Sequence, residues 1–378
     1  MLYFSFYIYS FILNFIFIFS AFIPSERSGH SSILIDRKLY FSGGNKIITS
    51  STNYSDSSAV SLLKIEIINE FFYLDVSEQF TLTDNVSIPW IDLTYTGGPQ
   101  KYLATACIGG KNNDMVFIFG GRTDSRQSFV NQFDTSKHKW TDITSVGSVP
   151  ADRYYISCAN INNGLITIFS GFSYDTNITN DLWIFNTLAS TWSLSNATYA
   201  PPSRRGYCTI TLPDKNIIYI GGYSSNLSVY MPMNNLPLYN TKSDIWTNMV
   251  TPDGRVIIFG GSNVLNVSTT VVFGNLWILN TTVFRWSIGN ILNPIVDLGH
   301  TATLVDNYMF IAFGEFSFKN YSSRIFMLDV SQKDSYRWVT EFTPNITTTA
   351  VSIPSTTIQS SSIISNSSLI IGGIIGDF

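Results

Sequence analysis

Cysteine, histidine and charge are all scarce in this chain. Three Cys and three His in 378 residues exclude a disulfide-dense scaffold, and none of them falls at zinc-ligand spacing. Lys and Arg number 22 against 26 Asp and Glu, a formal charge of -4. There is no basic footprint for nucleic acid and no polybasic patch for a membrane surface. No P-loop, dinucleotide-binding fingerprint or nucleophile elbow occurs. No cofactor, no metal and no nucleic-acid partner is therefore expected.

What is abundant is strand material. Hydrophobic residues make up 45% and aromatic ones 15%, against only 13% charged. That is enough apolar surface for a large core, in residue types that favour strands. The length suits a single all-β fold.

The first 23 residues carry no charged side chain, and Pro24, Glu26 and Arg27 end the run. An apolar stretch closing on Ser20-Ala21 reads as a secretory signal peptide. Its n-region lacks Lys or Arg and the run is long, so an uncleaved anchor is the alternative. Cleavage is preferred because a repeat starts directly afterwards. Ten Asn-X-Ser/Thr sequons follow, at Asn53, Asn85, Asn177, Asn196, Asn226, Asn266, Asn280, Asn320, Asn345 and Asn366. They are glycosylation candidates if the chain is exported.

Six apolar strands end in a small-residue pair: Gly43-Gly44, Gly120-Gly121, Ser170-Gly171, Gly221-Gly222, Gly260-Gly261 and Phe313-Gly314. Each is followed by a polar loop and a further apolar strand ending in Asp or Asn, at Asp75, Asp134, Asn186, Asn240, Asn280 and Asp329. Each of these is followed by a Trp, at Trp90, Trp140, Trp192, Trp246, Trp286 and Trp338. In four units the step from Asp or Asn to Trp is six residues (134 to 140, 186 to 192, 240 to 246, 280 to 286).

This pattern resembles the kelch repeat, over about Arg27 to Trp338. The resemblance is to the superfamily of kelch-type and galactose-oxidase propellers, as an extracellular, non-catalytic member. It implies an all-β, six-bladed β-propeller, each repeat one four-stranded blade. Stacked blades bury faces that a lone sheet would expose. The glycines fit a turn or close approach that a Cβ would block. The Trp set, with Trp183 and Trp277, reads as filler between blades. The organisation expected is a signal peptide or anchor at 1–23, a propeller at 24–342, a Ser/Thr-rich stalk at 343–368 and an apolar end at 369–378. That end reads as the opening of a transmembrane helix cut short, too brief to span a bilayer.

The fifth unit departs from the pattern. Trp to the next small pair takes 27 to 30 residues elsewhere (90 to 120, 140 to 170, 192 to 221, 286 to 313), but only 14 from Trp246 to Gly260. Matching turns, Pro213-Asp214 and Pro252-Asp253, place the gap between Trp246 and Thr251. The innermost strand is mostly missing. This reads as a truncated gene model or a splice variant. A true three-stranded blade, or one that borrows a strand from elsewhere in the chain, is the alternative.

Loop lengths are one-sided. Connections from second to third strand and from blade to blade are long, and the other turns are short, so binding is expected on the loop-rich face. Arg27, Arg122, Arg153, Arg204 and Arg205 cluster at the starts of inner strands or directly after a small pair. They are candidates to line a mouth for acidic groups; pairing with nearby carboxylates or carbonyls is the competing reading. The superfamily's copper-radical oxidases imply two His and two Tyr ligands with a Tyr–Cys cross-link. Here His30 and His300 share one repeat position and His138 sits in a turn, so that site is not expected. Cys107, Cys158 and Cys208 fall on consecutive inner strands and read as buried free thiols. The expected function is a non-enzymatic, extracellular or cell-surface module that binds a protein or glycan. Any membrane contact is through a terminal anchor, if the full-length form has one. An oxidase and an intracellular kelch scaffold are the alternatives.

Overall fold

The computed structural model describes residues 21–50, 62–83, 87–124, 127–145, 147–173, 180–233, 236–248, 255–266, 269–280, 283, 285–291, 299–317, 320–332, 335–345 and 368–371. The 1–20 part of the expected leader and nearly all of the expected stalk lie outside them, as do Asn53, Asn85, Asn177 and Asn366. Among the described residues no helix is long and apolar enough to cross a membrane.

The architecture is an all-β propeller of six four-stranded sheets. In blade 1 the order from the axis outward is Ser31–Ile35, Lys38–Ser42, Phe71–Asp75 and Trp90–Asp92, all antiparallel. Blades 2, 3, 4 and 6 repeat this, with inner strands Thr105–Gly109, Cys158–Asn162, Cys208–Thr211 and Thr301–Val305. Second strands such as Val116–Phe119 and Ile217–Ile220 are buried throughout, because a neighbouring blade covers each face. The core is accordingly six apolar clusters, one at each junction between adjacent blades. Stability is thus a sum of blade and nearest-neighbour contributions.

Each repeat tryptophan stands on the outermost strand and meets the preceding blade. Ring centroids lie 4.8 Å apart for Trp140 and Phe71, 5.0 Å for Trp246 and Phe169, 5.9 Å for Trp192 and Phe119, and 5.6 Å for Trp338 and Phe259. Trp90 lies 6.1 Å from Phe313 across the junction of blades 1 and 6, and Trp286 donates its indole N–H to the Met233 carbonyl at 2.8 Å. The third-strand Asp or Asn caps the turn that follows it. Asp134, Asn186 and Asn240 each accept two backbone N–H groups through Oδ1.

Blade 5 has Arg255–Phe259, Leu276–Asn280 and Arg285–Gly289 in the usual antiparallel order. Its innermost position is filled by Ser368–Ile371, which runs parallel to Arg255–Phe259 in the register Val256↔Leu369 and Ile257↔Ile370. The described start of the terminal apolar segment is therefore a strand, where the sequence suggested the start of a helix. It lies beside the inner strands of blades 4 and 6, so six inner strands encircle the axis. A separate latch, Phe80–Thr81 against Glu341–Phe342, joins blade 1 to the chain leaving blade 6.

Both residues of every small pair are left-handed. Gly120 and Gly121 have φ of 60° and 89°, and Ser170 and Phe313 hold the same place at 49° and 58°. A Cβ on Gly120 would lie 2.3 Å from the Arg153 carbonyl oxygen of the next blade. Gly120→Ala should therefore cost more than the roughly 1–2 kcal/mol of a left-handed L-residue alone. A shift in denaturant midpoint with an unchanged m-value measures it.

Candidate functional site

The loop-rich face is built from the connections expected. Second-to-third-strand loops carry added hairpins, Asn45–Ser50 with Leu62–Ile67, Tyr223–Ser224 with Val229–Tyr230, Ser262–Asn266 with Thr269–Val272, and Glu315–Ser317 with Asn320–Tyr321. Blade-to-blade loops reach the same face and bridge to the residue after a small pair, as in Tyr102↔Arg122, Tyr154↔Phe172 and Arg205↔Tyr223.

Three of the five candidate arginines are turned inward. Arg27, Arg153 and Arg204 are 0%, 3% and 4% exposed. Each gives Nε to the carbonyl two residues before it, at Ser25, Ala151 and Pro202. Each gives Nη1 to the carbonyl of the first small-pair residue in its own blade, Gly43, Ser170 and Gly221. Arg27 also pairs with Glu70, and Arg153 grips Asp181 with both Nη atoms at 2.8 and 3.0 Å. Their own carbonyls accept the small-pair N–H of the preceding blade: Gly314 to Arg27, Gly121 to Arg153, Gly171 to Arg204. The expectation that these three line a mouth for acidic groups is corrected: they are clamps across blade junctions. A planar fork with five donors suits this one role at all three sites.

In blade 2 the clamp position holds Lys101, which sequence reasoning missed. Lys101 is 4% exposed, its Nζ donates to the Ser128 carbonyl at 2.6 Å, and its carbonyl accepts from Gly44. Burial pulls its pKa down to about 8, against the pull of Asp142 and Asp152. Burial likewise lowers Arg204 to about 10.

The other two arginines behave differently. Arg122 and Arg205 are half-buried, each with its guanidinium carbon over two aromatic rings. Arg122 is 5.6 and 5.4 Å from the centroids of Tyr102 and Tyr154, and Arg205 is 4.3 and 5.3 Å from Phe172 and Tyr223. Tyr154 meets Phe172 edge-on at 5.4 Å, and Tyr223 meets Tyr230 at 5.0 Å. One ladder of aromatic and guanidinium groups therefore crosses blades 2, 3 and 4 on the loop face. Beside it opens the axial cavity, about 700 Å³, lined in part by Tyr102, Arg122, Tyr154 and Tyr155.

Deeper in that cavity lie His30 and His300. His30 Nε2 bonds Thr301 Oγ1 at 2.9 Å, and burial holds its pKa well below 6.5, with Arg27 and His300 adding to the effect. His138 sits in an outer turn stacked over Phe133, so the three histidines do not converge. Among the described residues no group of three His, Cys, Asp or Glu is placed to hold a metal ion. Cys107, Cys158 and Cys208 are not in disulfides, and burial pushes the Cys208 thiol up to about 12.

A six-bladed propeller with small-pair strands, interblade tryptophans and a one-sided loop face defines a repeat propeller of the kelch type. The chain matches the KLHDC2/KLHL20/DRC7 Kelch-repeats domain over residues 64–255, half of its length, and it belongs to this kelch-repeat family. It is 26% identical to Homo sapiens Kelch domain-containing protein 3 over 200 residues, 46% of this chain and 50% of that protein. It is 29% identical to the Homo sapiens Rab9 effector protein with kelch motifs over 140 residues, 35% of this chain and 37% of that protein. The chain spans about half the length of the Kelch domain-containing protein 3 relatives it matches. Among solved structures, that of YjhT aligns with a TM-score of 0.61 at 12% identity, covering 83% of this chain and 98% of that one. At that identity the likeness concerns the fold alone.

Substitution separates a clamp from a ladder arginine. Arg153→Met should cost about 3–5 kcal/mol by leaving Asp181 and the Ser170 carbonyl unmatched in a largely buried site. Arg122→Ala should cost under about 1 kcal/mol. Thermal unfolding of the two variants separates these roles. Lys101 should make stability rise with pH between about 8 and 10.5. Over that window the unfolded chain binds the proton that the folded chain has released. Denaturant titrations at pH 7.5 and 10 should show a gain on the order of 2–3 kcal/mol, absent in Lys101→Met.

Proposed function

We propose that this chain is a protein-binding module whose partner docks on the loop-rich face, along the ladder Tyr102, Arg122, Tyr154, Phe172, Arg205 and Tyr223. The ladder itself carries the reading. Arginine and tyrosine dominate the energetic centres of protein interfaces, and guanidinium donors match carboxylates and carbonyls. A rigid propeller holds these groups at fixed spacing, which lowers the ordering cost of binding. The name of the Rab9 effector relative supports a protein rather than a glycan as the ligand.

The test is capture of partner proteins by the immobilised full chain. Arg122→Ala with Arg205→Ala should lower capture about tenfold or more, while the melting temperature stays within a few degrees. Lys111→Ala, on an exposed short turn of the opposite face, should leave capture unchanged. Equal loss from Lys111→Ala would place the interface on the wrong side of the propeller.

For location we propose export, on the strength of the charge-free first 23 residues. The name of the Rab9 effector relative favours the intracellular alternative. Asn196, Asn226, Asn280, Asn320 and Asn345 are exposed and open to glycosylation. Expression in a eukaryotic host should give a product that loses mass on treatment with an N-glycosidase. An unshifted product with Met1 intact would favour the intracellular scaffold.

A further inference from the structure

We propose that the inner position of blade 5 is a strand-acceptor site, open to exchange with the corresponding strand of a second copy of this chain. Five blades fill their inner position with the strand just before the second strand, antiparallel and joined by a tight turn. In those blades the filler cannot leave without unravelling the turn. In blade 5 the filler is Ser368–Ile371, more than a hundred residues away in sequence and parallel to Arg255–Phe259. Nothing in the blade's own chain direction holds it there.

The site is built for an apolar strand. Val256, Ile257, Ile258 and Phe259 of the receiving strand are fully buried. The entering strand is Leu369-Ile370-Ile371, in register with Val256, Ile257 and Ile258. Its edges lie next to the inner strands Cys208–Thr211 and Thr301–Val305. Backbone N–H and C=O groups on Arg255–Phe259 give the site direction and register, and the flanking blades give it apolar walls. An empty slot would leave that ladder unpaired at the axis, so occupancy contributes stability whichever molecule supplies the strand.

Filler and blade 5 share no turn; in the chain they are joined only by way of blade 6, a connection that sets local concentration. A second copy carries the same Ser-Leu-Ile-Ile segment. The occupant proposed is this identical strand supplied in trans, in the register that the chain's own strand adopts, giving strand-exchanged assemblies. This reading does not depend on the loop face.

The test uses the full chain with a protease site placed within residues 346–367. After cleavage the carboxyl-terminal fragment should stay with the propeller on gel filtration. A labelled peptide covering Asn366 to Gly373 should then replace it, saturably, at one peptide per propeller. The same residues in reversed order should bind about tenfold more weakly or worse. In the uncut chain Ile370→Asp should lower the melting temperature, and the wild-type peptide should restore it. An unchanged melting temperature, failure of the peptide to bind the cut chain, or equal binding of the reversed peptide would each overturn the proposal.

Discussion

The propeller depends on how the chain enters blades 1 to 4. At that point one residue is left-handed, and its N–H reaches the equivalent carbonyl of the previous blade. Gly206 donates to Tyr155, Tyr155 to Leu103, Leu103 to Gly29 and Gly29 to Gly299, at 2.7 to 3.1 Å. These five residues have φ between +55° and +66°. The result is a chain of backbone hydrogen bonds running around the mouth of the axial cavity. In blades 1 to 4 the clamp, arginine or lysine, stands two residues earlier, and its carbonyl takes the small-pair N–H of the previous blade. Glycine pairs, clamp cations and the hydrogen-bond chain are thus one repeated joint. Interiors this closely packed do not deform gradually, so a fault in one joint is felt at its two blades.

This joint also explains why the recognition groups lie where they do. The residue after the clamp is Tyr102, Tyr154 or Arg205, and it pairs with the residue after a small pair, Arg122, Phe172 or Tyr223. Structure fixes the backbone on both sides, and Tyr102, Arg122 and Tyr154 line the axial cavity. Blades 2, 3 and 4 fill those positions with aromatic and arginine side chains, whereas blade 1 has Ser28 and Asn45 there. The ladder is therefore a choice of side chain at positions that folding leaves open.

Much of the fold was legible in the sequence because its constraints recur. Left-handed pairs select glycine, turn caps select Asp or Asn, and junctions select Trp, each at a fixed place in every unit. Ser170 and Phe313 show that the first place of the pair tolerates a side chain. The clamps were harder to read, since a buried arginine and a surface arginine look alike in sequence. The clue was available, however: Arg27, Arg153 and Arg204 stand 16, 17 and 17 residues before their small pairs, the kind of regularity that marked the histidines as structural. Lys101 escaped because its residue type changed. The ladder was invisible because its members are adjacent only after three blades assemble. The fifth blade's missing strand was legible from spacing, but its donor was not. A short apolar run such as Leu369-Ile370-Ile371 reads alike as helix or strand.

Hydrogen exchange at single-residue resolution tests the joint most directly. Amides of Gly29, Leu103, Tyr155 and Gly206 lie in loops at a cavity mouth, where exchange is ordinarily fast. If the joint holds, these amides are protected nearly as well as the buried second strands, together with the small-pair amides of Gly44, Gly121, Gly171 and Gly314. Exchange at these amides as fast as in the short outer turns, with the second strands still protected, would contradict it.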